Sequence, residues 1–289
     1  MFAGLEHAIA ARNPIKRDGL DGTDALRLCD GPGDGFPDLV IDDFAGRWLV
    51  QTRGGFPDWL SGGSIHWKKL GDKEPPRWIA GDRLAKPFVI REGGLQYWVD
   101  FNAGYSQGFF LDQRLNRARV RRTGGRVLNC FAYTCSFGVA AAAGGAGTAN
   151  IDLSGKYLDW GKRNYLLNGI DPARHRFLRG DVREWLKRLH KKGELFDLVI
   201  LDPPTFSRNS EGEVFTIESG MGDLAGLCEN LLGRNGVLLC STNQRSLGAA
   251  RFLEMIRAGM RRPWQAEPSP MPPDFTGEQY LKTWWLTKK

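Results

Sequence analysis

The chain of 289 residues is 42% hydrophobic and 25% charged, long enough to bury a sizeable core and too apolar for wholesale disorder. No apolar run reaches the length of a bilayer crossing, and the opening MFAGLEHAIAARNPIKRDG mixes charge and polarity too early for a secretory leader. Lys and Arg exceed Asp and Glu by 40 to 33, a net +7 that is compatible with a polyanionic partner.

The expected compartment is therefore the cytoplasm, with no membrane partner. Cys29, Cys130, Cys135, Cys228 and Cys240 form no CxxC pair and have few histidines nearby. Neither a disulfide framework nor a metal site is expected from them.

In chain order, EHAIAAR reads as one or two helical turns. Glycine and proline then punctuate the chain to about residue 100, as in DGPGDGFPD (30–38) and RGGFPDWLSGG (53–63). Between them lie short β-type runs at 38–44, 47–53, 87–92 and 95–101. Strands separated by turn signals predict a small antiparallel β-rich domain over 1–103.

From about 110 the rhythm alternates between helix and strand. LDQRLNRARVRR reads as a helix, 126–131 as a buried strand, and SFGVAAAAGGA as a helix with small faces. Strands at 148–154, 175–181 and 196–204 are separated by helices at 156–169 and in VREWLKRLHKKG. DLAGLCENLL, NGVLLCSTN and RSLGAARFLEMIRAGM continue the alternation, and the C-terminus reads as a last strand. This predicts an α/β domain over 104–289, a Rossmann-like, doubly wound, mostly parallel sheet with helices on both faces. RNSEGEVFTIESGMG at 208–222 reads as a mobile loop suited to closing over a flipped base.

In such a sheet, ligands sit beyond the carboxyl ends of the strands, where strand order reverses. The first strand ends in Asn129 and runs into Cys-Phe-Ala-Tyr-Thr-Cys, which is neither a GxGxxG loop nor a lysine-bearing phosphate loop. That tilts the choice away from NAD and ATP, although an ordinary strand-to-helix turn reads the same way. The second strand ends in Asp152, Leu153 and Ser154; a carboxylate there is placed to accept both hydroxyls of a ribose. The third ends in Gly180-Asp181, where a carboxylate can accept an adenine amino group. Each aspartate also reads as a helix N-cap. The fourth ends in Asp202-Pro203-Pro204-Thr205-Phe206. Paired prolines stiffen the backbone, leave carbonyls as fixed acceptors for a base edge, and put Phe206 where it can stack on the base. A simple strand stop is the bland alternative.

NCFAYTCSFGVAAAAGGA, NIDLSGKYLDWGKRNYLLNGI and FDLVILDPPTFS resemble the class I S-adenosylmethionine-dependent methyltransferases that modify bacterial large-subunit (23S) ribosomal RNA. GYSQGFFLDQRLNR at 104–117 resembles an upstream signature of one subgroup. The resemblance implies S-adenosyl-L-methionine as cofactor and RNA, free or in an assembling large subunit, as partner. It also implies that Phe110, Asp112 and Arg114 flank the cofactor's methionine end. Asn129, Phe131, Tyr133 and Thr134 would line its loop, Asp152 would hold the ribose, and Asp181 and Asp202 would complete the site.

One departure bears on the chemistry. Cytosine-5 methylation needs a thiolate to attack C6 of the base. In the cytosine-5 members a serine-cysteine-serine segment ends the next strand; the position similar to that cysteine is Asn243 here. Cys240 lies three residues earlier, inside the strand, where a buried structural thiol is expected. The segment is more similar to the guanine-N7 members, which implies that Asn243 helps hold a guanine edge. Cytosine-5 methylation through Cys240, methylation of an exocyclic amine, and an assembly factor without turnover are the alternatives. Members often carry an N-terminal RNA-binding module that the first residues leave no room for, so recognition is expected from the β-rich domain, a partner or the catalytic face. Basic stretches at Arg114–Arg122, Lys187–Lys192 and Arg257–Arg262 read either as solvated helix faces or as phosphate-steering surfaces.

Overall fold

The computed structural model describes residues 3–13, 22–83, 86–104, 106–208 and 214–288, with the side chains of 206–208 and 214 set aside. It divides into two compact units, Met1–Arg114 with Met271–Gln279, and Leu115–Pro270 with Tyr280–Lys289. The expected boundary at 103/104 thus falls after Arg114 instead, and a nine-residue stretch near the C-terminus returns to the first unit. Electrostatics explains both differences. The Arg114 guanidinium, 1% exposed, donates to both carboxylate oxygens of Asp274 at 2.7 and 2.9 Å and to the Ala25 carbonyl at 3.1 Å. A buried cation needs such a partner, and the partner comes from the returning stretch.

The first unit has a short helix α1 (Ala3–Ala11) and a five-stranded sheet in the order β1 (Ala25–Asp30), β2 (Leu39–Phe44), β3 (Arg47–Thr52), β4 (Ser64–Lys69), β5 (Arg77–Ala80). A hairpin, β6 (Phe88–Glu92) and β7 (Leu95–Val99), follows. The sheet is not wholly antiparallel as expected, because β3 and β4 run parallel. The intervening Gly- and Pro-rich segment crosses over instead of turning back. Leu5 of α1 joins Leu28, Ile41, Val50, Ile65 and Trp67 in the core of this unit.

In the second unit, strands β8 (Arg126–Cys130), β9 (Gly147–Asp152), β10 (Arg176–Arg179), β11 (Phe196–Leu201), β14 (Leu232–Thr242), β15 (Trp264–Pro268) and β16 (Lys282–Lys288) form one sheet. Their order is β10-β9-β8-β11-β14-β16-β15. The first five are parallel, while β16 runs antiparallel to β14 and β15. Helices α2 (Arg114–Val120), α3 (Ser136–Ala143), α4 (Gly155–Leu167), α5 (Val182–Lys191), α6 (Ile217–Glu229) and α7 (Ala249–Gly259) alternate with the strands.

β11 shows why its sequence is a continuous apolar run. Val199 and Leu201 face a core shared with Leu186, Leu224 and Phe252, whereas Leu198 and Ile200 face one shared with Phe137, Ala141 and Trp285. A strand covered on both faces cannot alternate. The small residues of α3 allow close approach: a Cβ at Gly138 would collide with Asn150 Oδ1 and the Tyr165 hydroxyl.

The segment expected as a mobile loop contains regular structure. β12 (Phe206–Arg208) pairs antiparallel with β13 (Val214–Thr216), and α6 starts at Ile217, with Thr216 Oγ1 accepting from the Ser219 amide at 3.2 Å. Residues 209–213 of that segment lie outside the described ones.

Candidate active site at the strand ends of the second unit

Strand order reverses between β8 and β11, so the crevice for a ligand opens at their carboxyl ends. The register places Ile151, Cys130, Leu201 and Cys240 in one row across β9, β8, β11 and β14. The residues that follow, Asp152, Phe131, Asp202 and Ser241, therefore emerge side by side.

The loop after β8 is unusual in its backbone. Phe131, Tyr133 and Cys135 all have positive φ, at 57°, 49° and 60°. Left-handed non-glycine residues cost of order 1–3 kcal/mol each and persist only where the surroundings impose them. Here the surroundings do so. The Ala132 amide donates to the Ile151 carbonyl at 2.9 Å, the Tyr133 amide to Asp152 Oδ2 at 2.8 Å, and the Cys135 amide to the Ala132 carbonyl at 2.7 Å. From α4, Asn164 Nδ2 donates to the Thr134 carbonyl at 2.9 Å, and Tyr157 sets its ring edge against Tyr133 at 4.5 Å between centroids. Gly161 leaves the space for Cys135, whose sulfur a Cβ at 161 would strike. Asn164 and Gly161 escaped sequence reasoning; only their place on the helix facing the loop marks them.

Asp152 is the hinge of this arrangement. Its Oδ1 accepts from the Ser154 amide at 2.8 Å, and burial pushes its pKa up, against the lowering effect of the Ser154 and Tyr133 amides. A carboxylate has about four acceptor positions, so two remain to accept from a ligand. Ser154 caps α4 by accepting from the Tyr157 amide, and Leu153 beside it is exposed. At the end of β10, Asp181 Oδ1 accepts from the Glu184 amide at 3.2 Å. Asp181 is thus a helix N-cap, the bland reading of that residue, and capping uses one of its oxygens.

Asp202 Oδ1 accepts from Ser241 Oγ at 2.6 Å, which ties the ends of β11 and β14 together. Ser241 is fully buried and was missed in the sequence, where nothing signals the pairing of these two strands. Pro203 is buried and Pro204 exposed. Thr205 Oγ1 donates to Oδ1 of Asn243, an exposed residue just past β14, at 2.9 Å. The ring of Phe206 lies outside the described side chains. Cys240 is fully buried, its backbone opposite Leu201 and Trp284, and burial pushes its thiol well above the ordinary range.

Three expected site residues are turned inward. Asn129, 2% exposed, donates to Asn150 Oδ1 at 3.0 Å, and Asn150 donates to the Tyr165 hydroxyl at 3.1 Å. This ladder pins β8 to β9 beneath the loop and gives Asn129 a structural job. Thr134 is buried, and Arg114 belongs to the ion pair of the first unit. Phe110 and Asp112 also lie in the first unit, Phe110 exposed just before the short 3-10 helix Leu111–Gln113. Among the described residues no cluster of three or more His, Cys, Asp or Glu is arranged to hold a metal, and no helix is long and apolar enough to cross a membrane.

Ribosomal RNA large subunit methyltransferase I of Aeromonas salmonicida is 38% identical over 259 residues, which covers 81% of this chain and 64% of that protein. Ribosomal RNA large subunit methyltransferase K of Neisseria meningitidis serogroup B is 37% identical over 206 residues, or 70% and 57%. The crystal structure of SMU.776, described as a methyltransferase complexed with SAH, matches with a TM-score of 0.88 at 26% identity, over 98% of this chain and 80% of that one. The chain thus spans less than two thirds of the length of these curated relatives. The family model for S-adenosylmethionine-dependent methyltransferases matches residues 61–277, and the chain belongs to that family.

Proposed function

We propose that this protein transfers a methyl group from S-adenosylmethionine to N7 of a guanine in large-subunit ribosomal RNA. The names of its relatives support the RNA, and SAH bound to SMU.776 supports the cofactor. Five free cysteines suit the reducing cytoplasm, where such RNA is made.

S-adenosylmethionine supplies an electrophilic methyl group on a sulfonium sulfur. Asp152 holds the ribose through its two remaining acceptor positions, and Asp181 accepts from the adenine amino group. The loop at 131–135, held rigid by α4, shapes the floor beside them.

The choice of base rests on the contrast between Cys240 and Asn243. A cytosine-5 mechanism needs an accessible thiolate, yet Cys240 is fully buried and the other four cysteines are buried too. Asn243 instead presents an amide at the strand end. Guanine N7 carries an in-plane lone pair. That pair forms the new N–CH3 bond while the S–CH3 bond breaks with its electrons to sulfur, and no proton has to leave first. The protein need only orient the base. With Oδ1 of Asn243 engaged by Thr205, its Nδ2 is left to donate to guanine O6, the acceptor next to N7. The rigid Pro203–Pro204 backbone supplies the wall beside it.

The test is methyl transfer from labelled S-adenosylmethionine to unmodified large-subunit RNA, followed by digestion to nucleosides. Labelled 7-methylguanosine, retained in Cys240→Ala, is expected. Labelled 5-methylcytidine that disappears in Cys240→Ala would overturn the assignment of the base. SAH binding without any RNA label would favour an assembly factor.

A further inference from the structure

We infer that the β10 edge of the second unit's sheet, with the outer faces of α4 and α5, is the surface that takes the RNA phosphate backbone. The inference rests on RNA as the substrate and adds where it lies. Residues 155–192 contain eleven Lys and Arg against four Asp and Glu, a surplus of seven. The net charge of the whole chain is +7, so the remainder is neutral in sum. The surplus of this one segment thus equals the net charge of the whole chain.

The fold wraps that segment around one edge of the sheet, with α4 and α5 on its opposite faces. β10 is the terminal strand of the seven-stranded sheet, and α4 and α5 lead into and out of it. Lys162 Nζ lies 5.7 Å from the centroid of the Phe177 ring. Arg179 runs alongside Gly155 at the start of α4, and its carbonyl accepts from Trp185 Nε1 at 3.0 Å. Arg188 places its guanidinium 5.4 Å from the Trp185 ring centroid. Cations and half-buried rings alternate, an arrangement that suits a backbone of phosphates with unstacked bases between them.

These charges are also available. Lys162 and Lys187 pair with Asp159 and Glu184 on the surface, where such pairs are weak. Among the described residues, Arg163, Arg174, Arg179 and Arg188 have no carboxylate within salt-bridge distance. The surface adjoins the site, since Arg179 pairs with Asp152 across the β10–β9 ladder. In the basic stretch at 114–122, by contrast, Arg114 and Arg117 are buried. Charges on an edge strand also deter edge-to-edge pairing, so the experiment must separate that role from RNA binding.

The experiment measures binding of in vitro transcribed large-subunit RNA over a salt series. It uses wild type, the triple variant Arg163→Gln/Arg179→Gln/Arg188→Gln, and the charge-matched triple Arg234→Gln/Arg251→Gln/Arg257→Gln elsewhere on the second unit. The first triple is expected to weaken binding about tenfold or more at moderate salt. It should also flatten the slope of log K against log salt by about 2, as loss of three phosphate contacts on a single strand requires. SAH affinity and melting temperature should not change, and the second triple should bind RNA as wild type does. Equal losses in both triples would overturn the assignment. So would a first triple that aggregates yet keeps its RNA affinity. Wild type that binds RNA with this pattern but never yields 7-methylguanosine would sink the base assignment alone and leave the surface standing.

Discussion

Thr205 Oγ1 donates to Asn243 Oδ1 at 2.9 Å, so the residue after the paired prolines sets the orientation of the amide at the end of β14. A threonine there acts through its neighbour. Thr205→Val, nearly the same shape, removes the donor and frees the amide to turn, so that under the proposed guanine-N7 reaction its oxygen faces O6. A hydrogen bond of about 1 kcal/mol corresponds to roughly a fivefold loss in kcat/KM. Thr205→Ser should restore it, and SAH affinity should be unchanged in both. If Thr205→Val matches wild type in single-turnover methyl transfer, the hydroxyl does not position Asn243.

Gly161 faces Cys135 with no room for a methyl group. Gly161→Ala should push the left-handed loop off α4, at a cost of about 1–3 kcal/mol in stability. SAH affinity should fall with it, because the Tyr133 amide and Asp152 move together. Chemical unfolding and calorimetry read the two effects separately. A stability loss with unchanged SAH affinity would detach the loop from cofactor binding.

Asp274→Ala leaves Arg114 buried without its main partner, although Glu92 lies 3.7 Å away. Breaking such a pair from one side costs about 3–5 kcal/mol. Equilibrium unfolding should show that loss, and the double variant Arg114→Met/Asp274→Leu should recover much of it. A small effect in the single variant would mean that Glu92 suffices.

Burial lifts the pKa of Asp152 above 3.8. A folded pKa above the unfolded one means that the folded state holds the proton more tightly. The contribution to stability is present below the unfolded pKa and is lost as pH rises through the folded one. Ribose binding has the opposite need, since the hydroxyls donate to the charged carboxylate. As pH falls, SAH affinity should therefore drop earlier than an ordinary aspartate would allow, without unfolding from this group. Calorimetric titrations across the acid range check this; an affinity that stays flat into the ordinary aspartate range would contradict the assigned role of Asp152.

The sequence makes the second unit readable because its strands and helices alternate with clear periods, and the strand ends can be found by counting. β1, β4 and β15 are harder to see. β4 is buried on both faces yet contains His66 and Lys68, so neither an apolar run nor an alternation marks it. β15 is a short edge strand with exposed polar residues. The candidate carboxylates can be located at strand ends by counting. Asn129 is expected beside them, but its partner Asn150 is a cross-strand neighbour that only register reveals. The conformation of the loop at 131–135 is equally hidden, because its left-handed residues are a phenylalanine, a tyrosine and a cysteine rather than glycines.

The return of Met271–Gln279 to the first unit affects how the chain is made. Arg114 waits for an acceptor 160 residues further along, and Gly277 donates its amide to Asp30 at 2.7 Å across an even longer span. Contacts this distant in sequence form late. During synthesis the β-rich unit therefore emerges before the second but is completed only after the strands of the methyltransferase sheet up to β15 have been made. For the same reason no single proteolytic cut can release either unit intact.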